Sequence, residues 1–205
     1  MHILILIPTS YEIKLCPPVL SYKKYDKNIY FFSFPNKTGA WVTLTGIGQL
    51  NVNYFFENLS GDIINEIDVI ISIGTCGYIC GKSNVNIGDI YISNKIAYKE
   101  AIFEINVGLF KNTLFENTSF VVGPTMTTEH FYQKNQKEIL HGSIDMESYH
   151  IYQFCRNNKK QFYNIRIVSD YCNLHEHADQ VLIKDDMIKQ YKTFLLKTIE
   201  QLKGT

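Results

Sequence analysis

The segment Ile144-Asp145-Met146-Glu147-Ser148 and the later run Ile165-Arg166-Ile167-Val168-Ser169-Asp170 put carboxylates where an α/β fold assembles chemistry. Glu147 falls at the start of a helical pattern and Asp170 at the end of an Ile- and Val-rich strand. Both kinds of position face the crevice at the carboxyl edge of a sheet. A carboxylic acid at a strand end in an apolar setting is kept protonated by burial and can deliver a proton near neutral pH. Each residue also has an ordinary structural reading. Asp170 would pair with Arg166, and Glu147 would complement the positive end of a helix.

Other groupings carry less. Gly46-Ile47-Gly48 lies between a strand and a helix, but the third glycine of a dinucleotide turn is replaced by Asn51, so a tight turn is the better reading. Gly74-Thr75-Cys76-Gly77 follows another strand and can present N–H groups and a hydroxyl to a ligand. Cys76 and Cys80 lack a second pair at zinc spacing. His175-Glu176-His177, near Cys172 and Asp179, puts its two histidines on opposite faces of an extended chain, which suits a loop at the pocket mouth better than a metal. No metal is expected.

These residues need a sheet to hold them. Apolar, β-branched runs recur at 2–7, 29–34, 41–46, 67–74, 89–96, 119–123 and 163–169, with helical spacing between several of them. The pattern predicts one α/β domain over 1–205, with a mostly parallel sheet. Helices are expected at 48–60, from Asp145 as cap to about Arg156 with Ile151, Phe154 and Cys155 inward, and at 184–203 with Tyr191, Leu195, Ile199 and Leu202 on one stripe. Twenty basic and twenty acidic residues cancel, leaving no footprint for nucleic acid or an anionic membrane. The opening apolar run is too short to span a bilayer and lacks the flanks of a signal peptide. Five cysteines, mostly in apolar contexts, fit free thiols in a reducing cytoplasm.

Five segments, in order, resemble the purine nucleoside phosphorylase and nucleosidase superfamily, closest to its methylthioadenosine/S-adenosylhomocysteine nucleosidase branch. They are Pro8-Thr9-Ser10-Tyr11-Glu12, Thr45-Gly46-Ile47-Gly48, Gly74-Thr75-Cys76-Gly77 with Gly88-Asp89-Ile90, Asp145-Met146-Glu147, and Arg166 with Ser169-Asp170. The resemblance implies a three-layer nucleoside phosphorylase-like fold with a central twisted, mostly parallel sheet flanked by helices. It also implies a homodimer, no cofactor and a small-molecule purine nucleoside as substrate. It assigns Asp170 as acid to the purine N7 and Glu12 as base for water. Glu147 would accept the ribose 2′-hydroxyl, Met146 would pack beneath the sugar, and Thr75 and Ser169 would support with hydroxyls. Thr127 and Thr128 stand in the stretch that holds the base, where Phe131 and Tyr132 can supply a stacking ring.

Phosphorolysis needs fixed cations for phosphate, yet the only arginines are Arg156 and Arg166, and the first loop carries Glu12. Hydrolysis is therefore expected. Between Ile96 and Ser119 the chain is shorter than the family's methylthioadenosine enzymes, in the region that closes the pocket over the 5′ group. A futalosine hydrolase-like nucleosidase, a phosphorylase with an unfamiliar anion site and a catalytically silent nucleoside binder are the alternatives.

Overall fold

The computed structural model describes residues 1–205 apart from 27–28, 36, 80–84, 112–114, 116–117, 130–141, 173–182 and 205. In chain order its strands and helices are β1 Ile3–Ile7, β2 Ser21–Asp26, β3 Ile29–Ser33, β4 Gly39–Leu44, α1 Gly48–Glu57, α2 Gly61–Glu66, β5 Val69–Tyr78, β6 Ile90–Tyr98, β7 Ala101–Glu104, β8 Val121–Thr127, β9 Ser143–Asp145, α3 Ser148–Asn157, β10 Gln161–Asp170 and α4 Asp185–Gly204. Short 3-10 turns cover Ser10–Leu15 and Gly108–Lys111.

All five residues of β1 are buried, and they alternate between two cores. Ile3, Ile5 and Ile7 pack with Tyr191, Phe194, Leu195 and Ile199 of α4. Leu4 and Leu6 pack with Val52 and Phe56 of α1 and Ile151 and Cys155 of α3. A strand covered on both faces reads as a continuous apolar run because successive side chains point to opposite sides. The result is three layers, helix, sheet and helix.

The ten strands form one mixed sheet. Pairing is parallel for β4 with β1, β1 with β5, β5 with β10, β6 with β8 and β8 with β9. The remaining pairs, including β2 with β3, β3 with β4 and β6 with β7, are antiparallel. Because β10 pairs with both β5 and β6, and β9 pairs with both β5 and β8, the strands β5, β10, β6, β8 and β9 close into a ring. A polar chain crosses this ring: Asn164 Nδ2 donates to Ser93 Oγ at 2.8 Å, Ser93 contacts Thr125 at 2.5 Å, and Thr125 contacts Ser143 at 2.6 Å. Closure brings the ends of β5, β9 and β10 together, and these are the strand ends that carry Thr75, Asp145 and Asp170.

The helix expected over 48–60 ends at Glu57, and α2 follows because Ser60 Oγ accepts from the Asp62 amide at 3.3 Å and starts a new helix. Among the described residues, no helix is long and apolar enough to cross a membrane.

Candidate active site

Glu12 sits in the 3-10 turn that leaves β1. Thr9 opens the turn: its Oγ1 accepts from the Glu12 amide at 3.3 Å and donates to Glu12 Oε2 at 2.8 Å. Glu12 Oε1 accepts from Thr75 twice, from the backbone N–H at 2.6 Å and from Oγ1 at 2.9 Å. Glu12 is buried, so these charge-assisted bonds fix the carboxylate in a single place. A Cβ on Gly74 would lie 2.8 Å from Glu12 Oε1 and 2.5 Å from Arg166 Nη1, so both charged groups converge on a position that only glycine leaves open.

Arg166 is fully buried on β10. Its Nη2 lies 2.9 Å from Asp145 Oδ2 and 3.7 Å from Glu147 Oε2, and donates to Ser72 Oγ at 3.1 Å and Ser148 Oγ at 3.2 Å. Arg166 therefore pairs with Asp145 and Glu147, which corrects the structural reading of an ion pair with Asp170. Among the described residues, Arg166 Nε and Nη1 have no hydrogen-bond partner.

Asp145 ends β9 and α3 begins at Ser148 with Glu147 before it, so the helix starts later than the expected cap at Asp145, whose side chain still reaches its first turn. Asp145 Oδ1 accepts from the amides of Glu147 at 3.3 Å and Ser148 at 3.1 Å, while Oδ2 takes the Ser148 hydroxyl. Glu147 Oε1 accepts from the Gly48 amide at 2.9 Å. Gly48, at φ +78°, is in the left-handed region, and a Cβ there would meet Met146 Cε at 3.8 Å, so Met146 lies against this turn. Burial pushes the Glu147 carboxyl up to about 7, opposed by Arg166 and by the Gly48 N–H and reinforced by Asp145 and Glu12.

Asp170 stands at the end of β10, half-buried and opposite Gly77, just past a register shift after Val168. A bulge of this kind re-aims the side chain that follows it. Ser169 Oγ is 2.7 Å from Asp170 Oδ2 and 3.0 Å from the Cys76 carbonyl oxygen, and Cys172 Sγ is 3.8 Å from Asp170 Oδ1. Thr127 and Thr128 are drawn to Asp145. The Thr127 hydroxyl donates to Asp145 Oδ1 at 3.0 Å and accepts from the Tyr149 amide at 2.9 Å, while the Thr128 amide donates to the Asp145 carbonyl at 2.8 Å. Phe131, Tyr132, Cys80, His175, Glu176, His177 and Asp179 lie outside the described residues.

Sequence reasoning missed the hub roles of Asp145 and Arg166 and the part played by Thr9. The Thr9-Ser10-Tyr11-Glu12 spacing was the available signal, because it is that of a capping box.

This architecture, with its carboxylates gathered at the strand ends, is that of the nucleoside phosphorylase fold. Residues 108–200, which carry Asp145, Met146, Glu147, Arg166 and Asp170, match the family model described as Phosphorylase superfamily, the superfamily that the motifs resemble. Among solved structures, the 5′-methylthioadenosine/S-adenosylhomocysteine nucleosidase of Colwellia psychrerythraea 34H, in complex with adenine, is similar with a TM-score of 0.76 and 17% identity, covering 98% of this chain and 96% of that one. The Campylobacter jejuni nucleosidase of the same name is similar at 0.76 and 17%, covering 100% of both chains. That of S. pneumoniae, with a transition-state inhibitor, is similar at 0.72 and 18%, covering 98% of this chain and 100% of that one. No curated protein sequence matches the chain.

Proposed function

We propose that the chain is a purine nucleosidase that hydrolyses the N-glycosidic bond of a 5′-modified purine nucleoside such as methylthioadenosine or S-adenosylhomocysteine. The observation that carries this reading is the convergence of Glu12 and Arg166 on Gly74 within β5, with Glu147 3.7 Å from Arg166, at the same sheet edge as Asp170.

Breaking the bond between C1′ and the purine nitrogen leaves the electron pair on the base and cationic character on the ribose. Asp170 delivers a proton to N7. Its contact with Ser169 supports that role. Ser169 Oγ donates to Asp170 Oδ2 at 2.7 Å and also lies 3.0 Å from the Cys76 carbonyl oxygen, which ties the Asp170 side chain to β5 and aims it. Glu147, as the anion, accepts the 2′-hydroxyl and faces the developing cation, and Met146 packs beneath the sugar. Glu12 takes a proton from the attacking water as its oxygen bonds to C1′. The products are the free purine and the 5′-modified ribose.

Hydrolysis rather than phosphorolysis is supported by the pairing of Arg166 with carboxylates and by the presence of Glu12 where phosphate would need a cation. A homodimer is supported by an exposed apolar stripe on α1 and the turn before it. Ile47, Leu50 and Tyr54 are 44%, 84% and 68% exposed.

The test is chromatographic release of free base from methylthioadenosine, S-adenosylhomocysteine, adenosine, inosine and futalosine-like nucleosides, each with and without phosphate. Release that does not depend on phosphate is expected. Release only with phosphate would make the protein a phosphorylase, and no release from any of them would overturn the enzymatic reading.

A further inference from the structure

Three buried carboxylates, Asp145, Glu147 and Glu12, surround one buried cation, Arg166. They do not share it equally. Asp145 lies 2.9 Å from Nη2, against 3.7 Å for Glu147. Asp145 also collects donors on both oxygens. Oδ1 accepts from Thr127 Oγ1 at 3.0 Å and from the amides of Ser148 and Glu147 at 3.1 and 3.3 Å, while Oδ2 accepts from Arg166, the Ser148 hydroxyl and Asn164 Nδ2, the last at 3.5 Å. Asn164 is itself tied through Ser93 and Thr125 to Ser143 across the closed ring of strands. Such a donor set holds the Asp145 side chain in one place against Arg166. Glu147 has the Gly48 amide on one oxygen and a guanidinium beyond hydrogen-bond reach on the other.

We infer that Asp145 is a positioning residue: by holding Arg166, it withholds from Glu147 the close ion pair that would fix it as a carboxylate, so Glu147 exchanges a proton before the site fills. This rests on the reading of Glu147 as the group that meets the ribose. The groups facing Glu147 are Arg166 on β10, Asp145 on β9, Glu12 in the first 3-10 turn and the Gly48 N–H of α1. Behind them stand Cys76 on β5 and Tyr191 on α4, next to Arg166, and His150 on α3, next to Asp145. One cation among three acids leaves carboxylate charge uncompensated, and Glu147 is the acid with the fewest donors. The site thus enters the reaction with its sugar-facing carboxyl poised between neutral and ionised, and it releases that proton to solvent when a hydroxyl donor binds.

The experiment is an infrared titration of the ligand-free protein across neutral pH, with Glu147→Gln and Asp145→Asn alongside wild type. Wild type should show a buried carboxylic acid band lost as pH rises through about 7, and Glu147→Gln should lack it. In folded Asp145→Asn, Arg166 is released to Glu147, and the same band should titrate with about tenfold lower proton affinity or less. A purely structural Asp145 would lower the melting temperature and leave the band in place, which overturns the inference. So would a wild-type band that survives Glu147→Gln, or the absence of any band.

Should Asp145→Asn not fold, the wild-type Arg166 guanidinium decides through 15N NMR. Restrained Nη2 rotation on both sides of the Glu147 transition supports a hold by Asp145. Restraint that arises only as Glu147 ionises overturns it. None of these readouts uses substrate, so their failure is separable from failure of the base-release assay.

Discussion

Glu12 and Thr75, 63 residues apart in sequence, are joined by two hydrogen bonds to a single carboxylate oxygen, from the Thr75 amide at 2.6 Å and its hydroxyl at 2.9 Å. This pins the turn after β1 to the end of β5. The backbone bond survives any side-chain change, so Thr75→Val isolates the hydroxyl's share. A bond to a charged acceptor contributes about 1.5–3 kcal/mol. Thr75→Val should therefore lower the melting temperature by several degrees, at about 2–4 °C per kcal/mol for a chain of this size, and as Glu12 loosens, base release should fall about tenfold to a hundredfold in kcat/KM. An unchanged kcat/KM would remove Thr75 from the site.

Asp170→Asn keeps the size of the side chain and removes the transferable proton. General acid catalysis contributes about 10²- to 10⁴-fold, and base release should fall by that factor while the affinity for a nucleoside analogue stays within a few-fold. Glu12→Gln should show the same separation, because its amide can still accept from Thr75. Near-native turnover by Asp170→Asn would assign the acid to another group.

Much of this was legible in the sequence, and particular residues show why. The all-apolar β1, the Ile- and Val-rich β10 and the stripe on α4 announce themselves through period and composition. The strands β2, β7 and β9 do not. Ser21–Asp26 is a polar edge strand, Ala101–Glu104 is exposed, and Ser143–Asp145 has only three residues, so each owes its existence to a neighbour rather than to its own pattern. Glu12, Glu147 and Asp170 are singled out by their local wording. The hub at Asp145 is not, because its donors come from β8, α3 and β10. Only closure of the ring assembles them, and no local motif records that closure.

Leu50 and Tyr54, 84% and 68% exposed, lie four residues apart on α1 and thus on the same face. If that face is the self-association surface, Leu50→Glu places a charge in it without touching the core. Sedimentation should then show a dimer for wild type and a monomer for the variant, with the far-UV spectrum unchanged. A wild-type monomer at micromolar concentration would refute the dimer.

Stability should respond to Glu147 with a defined sign. Burial raises its folded-state value from 4.5 to about 7, so between those limits the folded protein holds a proton that the unfolded chain does not. Stability therefore rises as pH falls from about 7 toward 4.5, and above 7 the ionised buried carboxylate costs on the order of a few kcal/mol. Glu147→Gln removes that cost while its side-chain oxygen can still accept from Gly48. Thermal melts over a pH series should find the variant more stable than wild type on the alkaline side, with the advantage shrinking toward acid, and much less active throughout. An advantage independent of pH would mean that packing, not charge, separates the two proteins.

Gly77 offers a way to move the acid without replacing it. A Cβ there would meet Cys172 Sγ at 2.2 Å and Asp170 Oδ1 at 3.0 Å. The first contact is impossible without displacement, and the second is relieved by a shift of a few tenths of an ångström. Gly77→Ala should therefore push Cys172 against Asp170 and cost about a hundredfold in kcat/KM, the scale of loss expected when a reacting group is misplaced by about an ångström. Adding Cys172→Ala removes the sulfur and leaves only the milder contact, so the double variant should recover to within about tenfold of wild type. Recovery of this kind ties the loss to the geometry around Asp170. A double variant as poor as the single one would trace it to the β5 backbone instead, and the position of Asp170 opposite Gly77 would then have no bearing on turnover.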